Sequence, residues 1–239
     1  MNHVQYTLSL KRENSDISTR LCFASMAADA LFSKKETILH PEEKKHYLLL
    51  KSKHRQAQFL LGRYCAKSCL SNTLANYPDL HIGNGVFGQP ILIAPKTHLN
   101  RHIGISHSKK VGVAISFPHT HPIGIDIEEI RTRKSTLMVI KKKLSEQEKA
   151  LLTHNEATIL TQIWSAKEAM AKCLFLGVLS AFSLLKISSI TKTNTGYEIR
   201  FENLAQYKCI SIILDNYILS IALPRNTTFP EKWLPSLPR

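Results

Sequence analysis

Residues 122–130, PIGIDIEEI, leave their backbone little choice. Ile123, Ile125 and Ile127 alternate with Gly124, Asp126 and Glu128, and a period of two specifies a β-strand with one apolar face. Asp126 and Glu128 therefore point to the same side, opposite the isoleucines. Two like charges this close repel, and a divalent cation relieves them; ligation by oxygen alone suits a hard ion such as Mg²⁺. A solvated edge strand with acids on its wet face would satisfy the same pattern, so the strand alone does not decide.

A chain of 239 residues is long enough for one large domain or two smaller ones, each with a real core. The sequence has no apolar run of transmembrane length, and its first residues, MNHVQYTLSLKREN, lack the pattern of a signal peptide. The five cysteines (Cys22, Cys65, Cys69, Cys173, Cys209) show no zinc spacing. Cys65 and Cys69 fall at i, i+4 in a helical pattern, which fits ordinary packing in a reducing cytoplasm. The net charge of +14 calls for an anionic partner: nucleic acid, a phosphate-rich cofactor, an acidic protein or a membrane surface.

Along the chain, residues 4–10 read as an opening strand and residues 17–32 as mixed apolar sequence ending in a helix. His40-Pro41-Glu42-Glu43 starts a helix, with proline in the first turn and acids at the positive end of the dipole. The helical pattern runs over residues 42–70 with a break near 51–53. Its basic face, Lys44, Lys45, His46, Lys51, Lys53, His54 and Arg55, is either a solvated surface or a phosphate-facing stripe. Gly88 and Pro90 mark a tight turn feeding a short strand. Ser106, His107 and Ser108 sit just before the strand of residues 111–117; they suit an anion contact, or simply a hairpin. A Ser-His hydrolase is disfavoured, because adjacent side chains in an extended segment point opposite ways. His119 and His121 fall in a loop.

Residues 131–143 are basic. Ser145 and Glu148 then form a capping box at a helix start. A further helix over residues 156–176 sets Trp164, Glu168 and Lys172 along one face, and Gly177 ends it. Lys167 interrupts the apolar stripe of Leu160, Ile163, Met170 and Leu174, as a site-lining charge would. Strands follow at residues 182–187, 197–201, 207–214 and 217–223, then a loosely held tail from Pro224. No dinucleotide fingerprint or GxxxxGK[ST] loop is present.

Taken in order, several segments resemble the 4′-phosphopantetheinyl transferases, in particular the larger type that acts on carrier proteins of peptide, polyketide or fatty-acid synthases. They are PEEK from Pro41, FLLGR from Phe59, FGQP from Phe87, ISHS from Ile105, IGIDIE from Ile123, LSEQE from Leu144 and WSAKEAMAK from Trp164. The resemblance implies an α+β fold of two similar α/β halves related by a pseudo-twofold, with the active site at their interface. Residues 1–120 would form the coenzyme A phosphate and adenine side, and residues 121–239 the metal and catalytic side. Asp126, Glu128 and Glu168 would hold Mg²⁺. Lys44, Lys45, His46, Gly88, Gln89, Pro90, Ser106, His107 and Lys172 would contact coenzyme A. Glu168 or Glu148 would take the serine proton, with Lys172 on the phosphates. The implied reaction moves the phosphopantetheine arm of coenzyme A to a serine of an acidic acyl or peptidyl carrier protein and releases 3′,5′-ADP. A cytoplasmic monomer is expected, with neither nucleic acid nor membrane as partner. Gln89 stands where the family favours lysine or arginine, and His46 where its helix often has a base; both weaken the expected grip on phosphate. The competing readings are a Mg²⁺-dependent nuclease built on the same acids, and a non-catalytic basic nucleic-acid-binding protein. The second would require aromatics interleaved with bases on an exposed surface, and aromatics here are sparse.

Overall fold

Alternating apolar residues become strands and apolar stripes become helices in the computed structural model of the chain, a mixed α+β protein. The structure describes residues 2–13, 15–95, 100–176, 182–231 and 233–238. It contains two compact units: one of Met1–Ser9, Asp16–Thr120 and Ser236–Arg239, the other of Leu10–Ser15 and His121–Pro235.

The chain opens with strands β1 (Asn2–Arg12) and β2 (Ser15–Ser25). Four helices follow: the short α1 (Ala28–Phe32) and α2 (Lys35–Ile38), then α3 (Pro41–Leu49) and α4 (Lys53–Leu70). His40 caps α3: its ring accepts the Glu42 N–H, and the Glu43 carboxylate returns to accept the His40 N–H. Ser52 caps α4. After a 3₁₀ turn (Leu74–Asp79) come β3 (His81–Asn84), β4 (Pro90–Ala94), β5 (Arg101–Ser108) and β6 (Val111–Pro118). The first sheet runs β1-β2-β6-β5, with β3-β4 as a hairpin, and α4 packs on β6 and β5. Leu60, Leu61, Cys65 and Cys69 of α4 meet Cys22, Ala24 and Ala114 in the core beneath it.

The second unit follows the same plan. Strand β7 (Gly124–Glu129) leads to helices α5 (Lys134–Lys142), α6 (Glu146–Ala150) and α7 (Glu156–Cys173). Strands β8 (Ile187–Lys192), β9 (Tyr197–Phe201), β10 (Tyr207–Leu214) and β11 (Tyr217–Pro224) complete an antiparallel sheet ordered β7-β11-β10-β9-β8. Helix α7 packs on β7, β11 and β10. It lies so close to β7 that a Cβ at Gly124 would overlap the Ala169 carbonyl oxygen and the Cys173 backbone nitrogen.

The likeness of the units extends to single residues. The β5–β6 and β10–β11 hairpins both turn through two residues, the first left-handed: Lys109 at φ 51° and Asp215 at φ 50°. In the first unit, Glu43 Oε2 takes the ammonium of buried Lys67 at 2.5 Å and Oε1 takes the Ile82 N–H of β3 at 3.0 Å. In the second, Glu148 Oε1 takes the ammonium of buried Lys167 at 2.6 Å and the Ile187 N–H of β8 at 2.9 Å. Each glutamate is the third residue of a capped helix, and each lysine sits in the helix that covers its sheet.

Four local expectations change. Residues 182–185 form turns rather than a strand, because Phe182 and Leu185 are buried in the cluster that includes Ile163, Ala166 and Met170 of α7. The basic run of residues 131–143 contains α5, whose Ile140 is buried while its lysines stay at the surface. Ser106, His107 and Ser108 precede β6 across the hairpin, as expected, but belong to a strand themselves, the end of β5. Helix α7 ends at Cys173; Gly177 lies outside the described residues. All five cysteines are buried free thiols, and no helix of the described residues is long and apolar enough to cross a membrane.

Candidate active site

Strand β7 pairs with β11 in a register that puts Asp126 opposite Ser220 and Glu128 opposite Ile218. Ile123, Ile125 and Ile127 are buried, as the alternation requires. Asp126 and Glu128 share the face on which Gly124 meets α7. Lys172 of α7 donates from Nζ to Asp126 Oδ1 at 2.8 Å. Glu128 Oε1 accepts two donors, Arg131 Nη2 at 2.8 Å and Trp164 Nε1 at 3.0 Å. The Arg131 guanidinium lies 5.1 Å from the Trp164 ring centroid, and the indole tilts against Phe182 at 5.4 Å. Trp164 and Arg131 thus fix the orientation of one carboxylate, as groups behind a ligand do.

Glu168 completes the group. Burial, then the negative charge of Asp126, push its carboxyl up to about 7, with Lys172 opposing and Glu128 adding to the rise. Glu128 is raised for the same first two reasons, while Arg131 and Trp164 pull it down. Among the described residues the Glu168 side chain has no hydrogen bond or ion pair. So β7 and α7 hold three mutually repelling carboxylates, two of them engaged by Lys172 and Arg131.

As they stand, no three His, Cys, Asp or Glu side chains among the described residues are gathered as a metal cage. The donor chemistry nevertheless fits a hard cation: oxygen atoms only, excess negative charge, and a carboxylate whose own charge is disfavoured until a cation arrives. The expected metal residues Asp126, Glu128 and Glu168 are brought together with Lys172.

Glu148 is not an available base. It is 1% exposed, and its oxygens are taken by Lys167, the Ile187 N–H and the Ser145 N–H of its own helix cap. Lys167 likewise lines no site: it is 1% exposed, held by Glu148, the Phe182 carbonyl and the Phe182 ring. A charge on an apolar stripe was half of a buried pair, with its partner on another helix.

The residues expected to meet coenzyme A all lie in the first unit, apart from Lys172. Lys44 pairs with Glu36 at 2.6 Å and Lys45 with Glu42 at 2.7 Å, so the basic face of α3 is partly neutralised. His46 packs on Phe59, with ring centroids 5.2 Å apart. Gly88 takes φ +79°, which only glycine adopts without strain. Gln89 folds back into its own turn, its Oε1 accepting the Phe87 N–H at 3.0 Å, and Pro90 opens β4 opposite Asn84. In β5, Ser106 is buried and the adjacent His107 is exposed. Helix α3 touches β3, and β4 runs beside β5.

Sequence reasoning missed Arg131 and the function of Trp164. Arg131 follows the end of β7, where strand alternation no longer predicts direction. Trp164 does carry a signal: it precedes Glu168 by one helical turn, on the same face.

Comparison with known proteins shows what the chain is similar to. Residues 122–222 match the model of the 4′-phosphopantetheinyl transferase superfamily. The holo-[acyl-carrier-protein] synthase of Geobacillus sp. (strain WCH70) is 30% identical over 86 residues, 33% of this chain and 71% of that protein. That of Geobacillus kaustophilus (strain HTA426) is 34% identical over 86 residues, 33% of this chain and 66% of that protein. Among solved structures, the holo-(acyl-carrier-protein) synthase of Bacillus anthracis str. Ames in complex with CoA (3′,5′-ADP) aligns with a TM-score of 0.34 and 22% identity, covering 47% of this chain and 96% of that one. The matched region contains β7 and α7 with Asp126, Glu128 and Glu168, and the chain is an enzyme of the 4′-phosphopantetheinyl transferase superfamily.

Proposed function

We propose that this enzyme transfers the 4′-phosphopantetheine arm of coenzyme A to a serine of an apo carrier protein, releasing 3′,5′-ADP, in a Mg²⁺-dependent reaction. The observation that carries the reading is the cluster of Asp126, Glu128, Glu168 and Lys172 on one face of β7 and α7. Asp126, Glu128 and Glu168 would hold Mg²⁺, which when bound offsets diphosphate charge and polarises the phosphorus under attack.

The serine oxygen attacks the β-phosphorus, a new P–O bond forms, and the bond to the 3′,5′-ADP oxygen breaks. Glu168 accepts the serine proton: its carboxyl sits at about 7, near the working pH where a base is most effective. Lys172 places a positive charge where the 5′-phosphate of the departing 3′,5′-ADP gains negative charge. In the first unit, Lys44, Lys45, His46, the Gly88–Pro90 turn, Ser106 and His107 supply the coenzyme A side; Gln89 does so by shaping the turn rather than by reaching outward. The net charge of +14 favours an acidic carrier, whose approach it would steer. The enzyme acts as a cytoplasmic monomer.

The test is to incubate the protein with coenzyme A, Mg²⁺ and a panel of apo carrier proteins, and to weigh each carrier by mass spectrometry. A gain of one phosphopantetheine arm, dependent on Mg²⁺, supports the reading. No gain on any carrier, together with Mg²⁺-dependent plasmid nicking, replaces it with the nuclease.

A further inference from the structure

The carboxylate of Glu43 collects three hydrogen-bond donors from three elements, with a second cation beside it. It accepts the His40 N–H at the start of α3 at 3.0 Å and the Ile82 N–H of β3 at 3.0 Å. It also takes Lys67 Nζ of α4 at 2.5 Å, and Arg63 of the same helix forms an ion pair with it, Nε 3.2 Å away but without a hydrogen bond. Glu43 is 2% exposed and Lys67 is fully buried, its ammonium also bonded to the carbonyls of Ile38 and Tyr77. Burying such ions is costly, and an apolar pair of similar size would often be as stable. A buried cluster of this kind is explained better by the geometry it enforces than by the stability it adds.

The geometry at stake is that of α3 against the β3–β4 hairpin. Helix α3 carries Lys44, Lys45 and His46, and the hairpin carries Gly88, Gln89 and Pro90. A second path runs outward from the same hub. Arg63 stacks over Phe59 at 4.6 Å, and the Phe59 ring meets His46 at 5.2 Å. The second unit repeats the pair with Glu148 and Lys167, anchoring α6 and β8 to α7, but among the described residues no second cation meets the carboxylate.

We infer that Glu43 is the positioning residue of the coenzyme A side. It sets α3 and the β3–β4 turn at the spacing that lets both meet one coenzyme A molecule. The inference rests on the functional reading above. Glu43 itself touches no substrate, and the matched pair in the second unit serves as its internal control.

The experiment compares two double variants, Glu43→Gln/Lys67→Met and Glu148→Gln/Lys167→Met, with the unaltered protein. Each removes a whole ion pair rather than one partner. Coenzyme A binding is measured by titration calorimetry, KM and kcat with a carrier protein, and folding by circular dichroism and Tm. The Glu43 variant should raise the Kd and KM for coenzyme A by about tenfold with little change in kcat at saturation, the mark of lost binding geometry. The Glu148 variant should lower Tm without raising the Kd for coenzyme A. If the first double variant does not fold, Glu43→Asp keeps the charge but shortens the reach, and should raise Kd in the same direction. Folded Glu43 variants with unchanged Kd overturn the inference, as does an equal rise in both double variants. An unaltered protein that binds coenzyme A but transfers nothing refutes the functional reading and leaves the positioning claim measurable through Kd. One that binds no coenzyme A refutes both.

Discussion

The two units build one scaffold around two different interiors. Counted from their equivalent hairpin turns, Ala114 of β6 matches Ser220 of β11. The residue opposite Ala114 is Cys22, and the residue opposite Ser220 is Asp126. Two residues on, Ala24 stands where the second unit has Glu128. Beside the equivalent lysines 67 and 167 stand Ser68 and Glu168. Cys22 and Ala24 are completely buried under α4, and Ser68 is bonded to Tyr64 and Tyr77. The first unit thus closes with apolar packing the place where the second keeps three carboxylates. Capped helices, paired hairpins and a buried Glu–Lys pair recur in both units; the carboxylate cluster differs from the apolar packing at three positions.

The largest expected effect breaks the contrast directly. Asp126→Ala should lower carrier modification by at least about a hundredfold, the scale expected when an electrostatic anchor of the transition state is lost. Mass spectrometry of the carrier reads it, and full activity would remove Asp126 from the site. Next in size is the loss of one partner from either buried pair. Glu43→Ala and Glu148→Ala each strand a buried ammonium, and each should cost about 3–5 kcal/mol in chemical denaturation. A much smaller cost in either unit would show that the pairs are not equivalent.

Trp164→Phe probes the support of the carboxylates. The ring can still pack on Phe182, but the donor to Glu128 Oε1 is gone. The Mg²⁺ concentration for half-maximal activity should rise by roughly tenfold, as when a group behind a metal ligand is removed. An unchanged requirement would leave Arg131 as sufficient support.

The smallest effect concerns acid. His121, 2% exposed and bonded to Thr227, has its imidazole held down at about 4 by burial, with Arg12 adding to the effect. Between the ordinary histidine range and about 4, the unfolded chain binds more protons than the folded one. Stability contributed by this site is therefore present at neutral pH and lost as pH falls through that window. His121→Gln should flatten the acid limb of a Tm-against-pH curve there; an unchanged slope would mean that other groups carry it.

Much of this was legible beforehand. The alternation of PIGIDIEEI could only be a strand with Asp126 and Glu128 on one face, and the spacing of Trp164, Glu168 and Lys172 could only share a helix face. The capping box at Ser145 was readable too, because its partners are three residues apart. Lys167 and Glu148 misled for a common reason. Lys167 was read within its own helix, where a charge on an apolar stripe suggests a site, and Glu148 as a cap of its own helix or, by resemblance, a base, whereas each is satisfied by the other across a gap in sequence. The same limit concealed Arg131 behind Glu128, and the hub of donors and cations at Glu43.

The sequence by itself determined which elements form and which faces carry charge, because periodicity and capping act over a few residues. Only the tertiary structure decided which charges are spent and which remain for chemistry. A buried ion is tolerated only where a specific partner meets it, and that partner is found by packing rather than by spacing. Glu43 and Glu148 found lysines and became architecture; Glu168 is buried beside other carboxylates, and its raised affinity for a proton is the result.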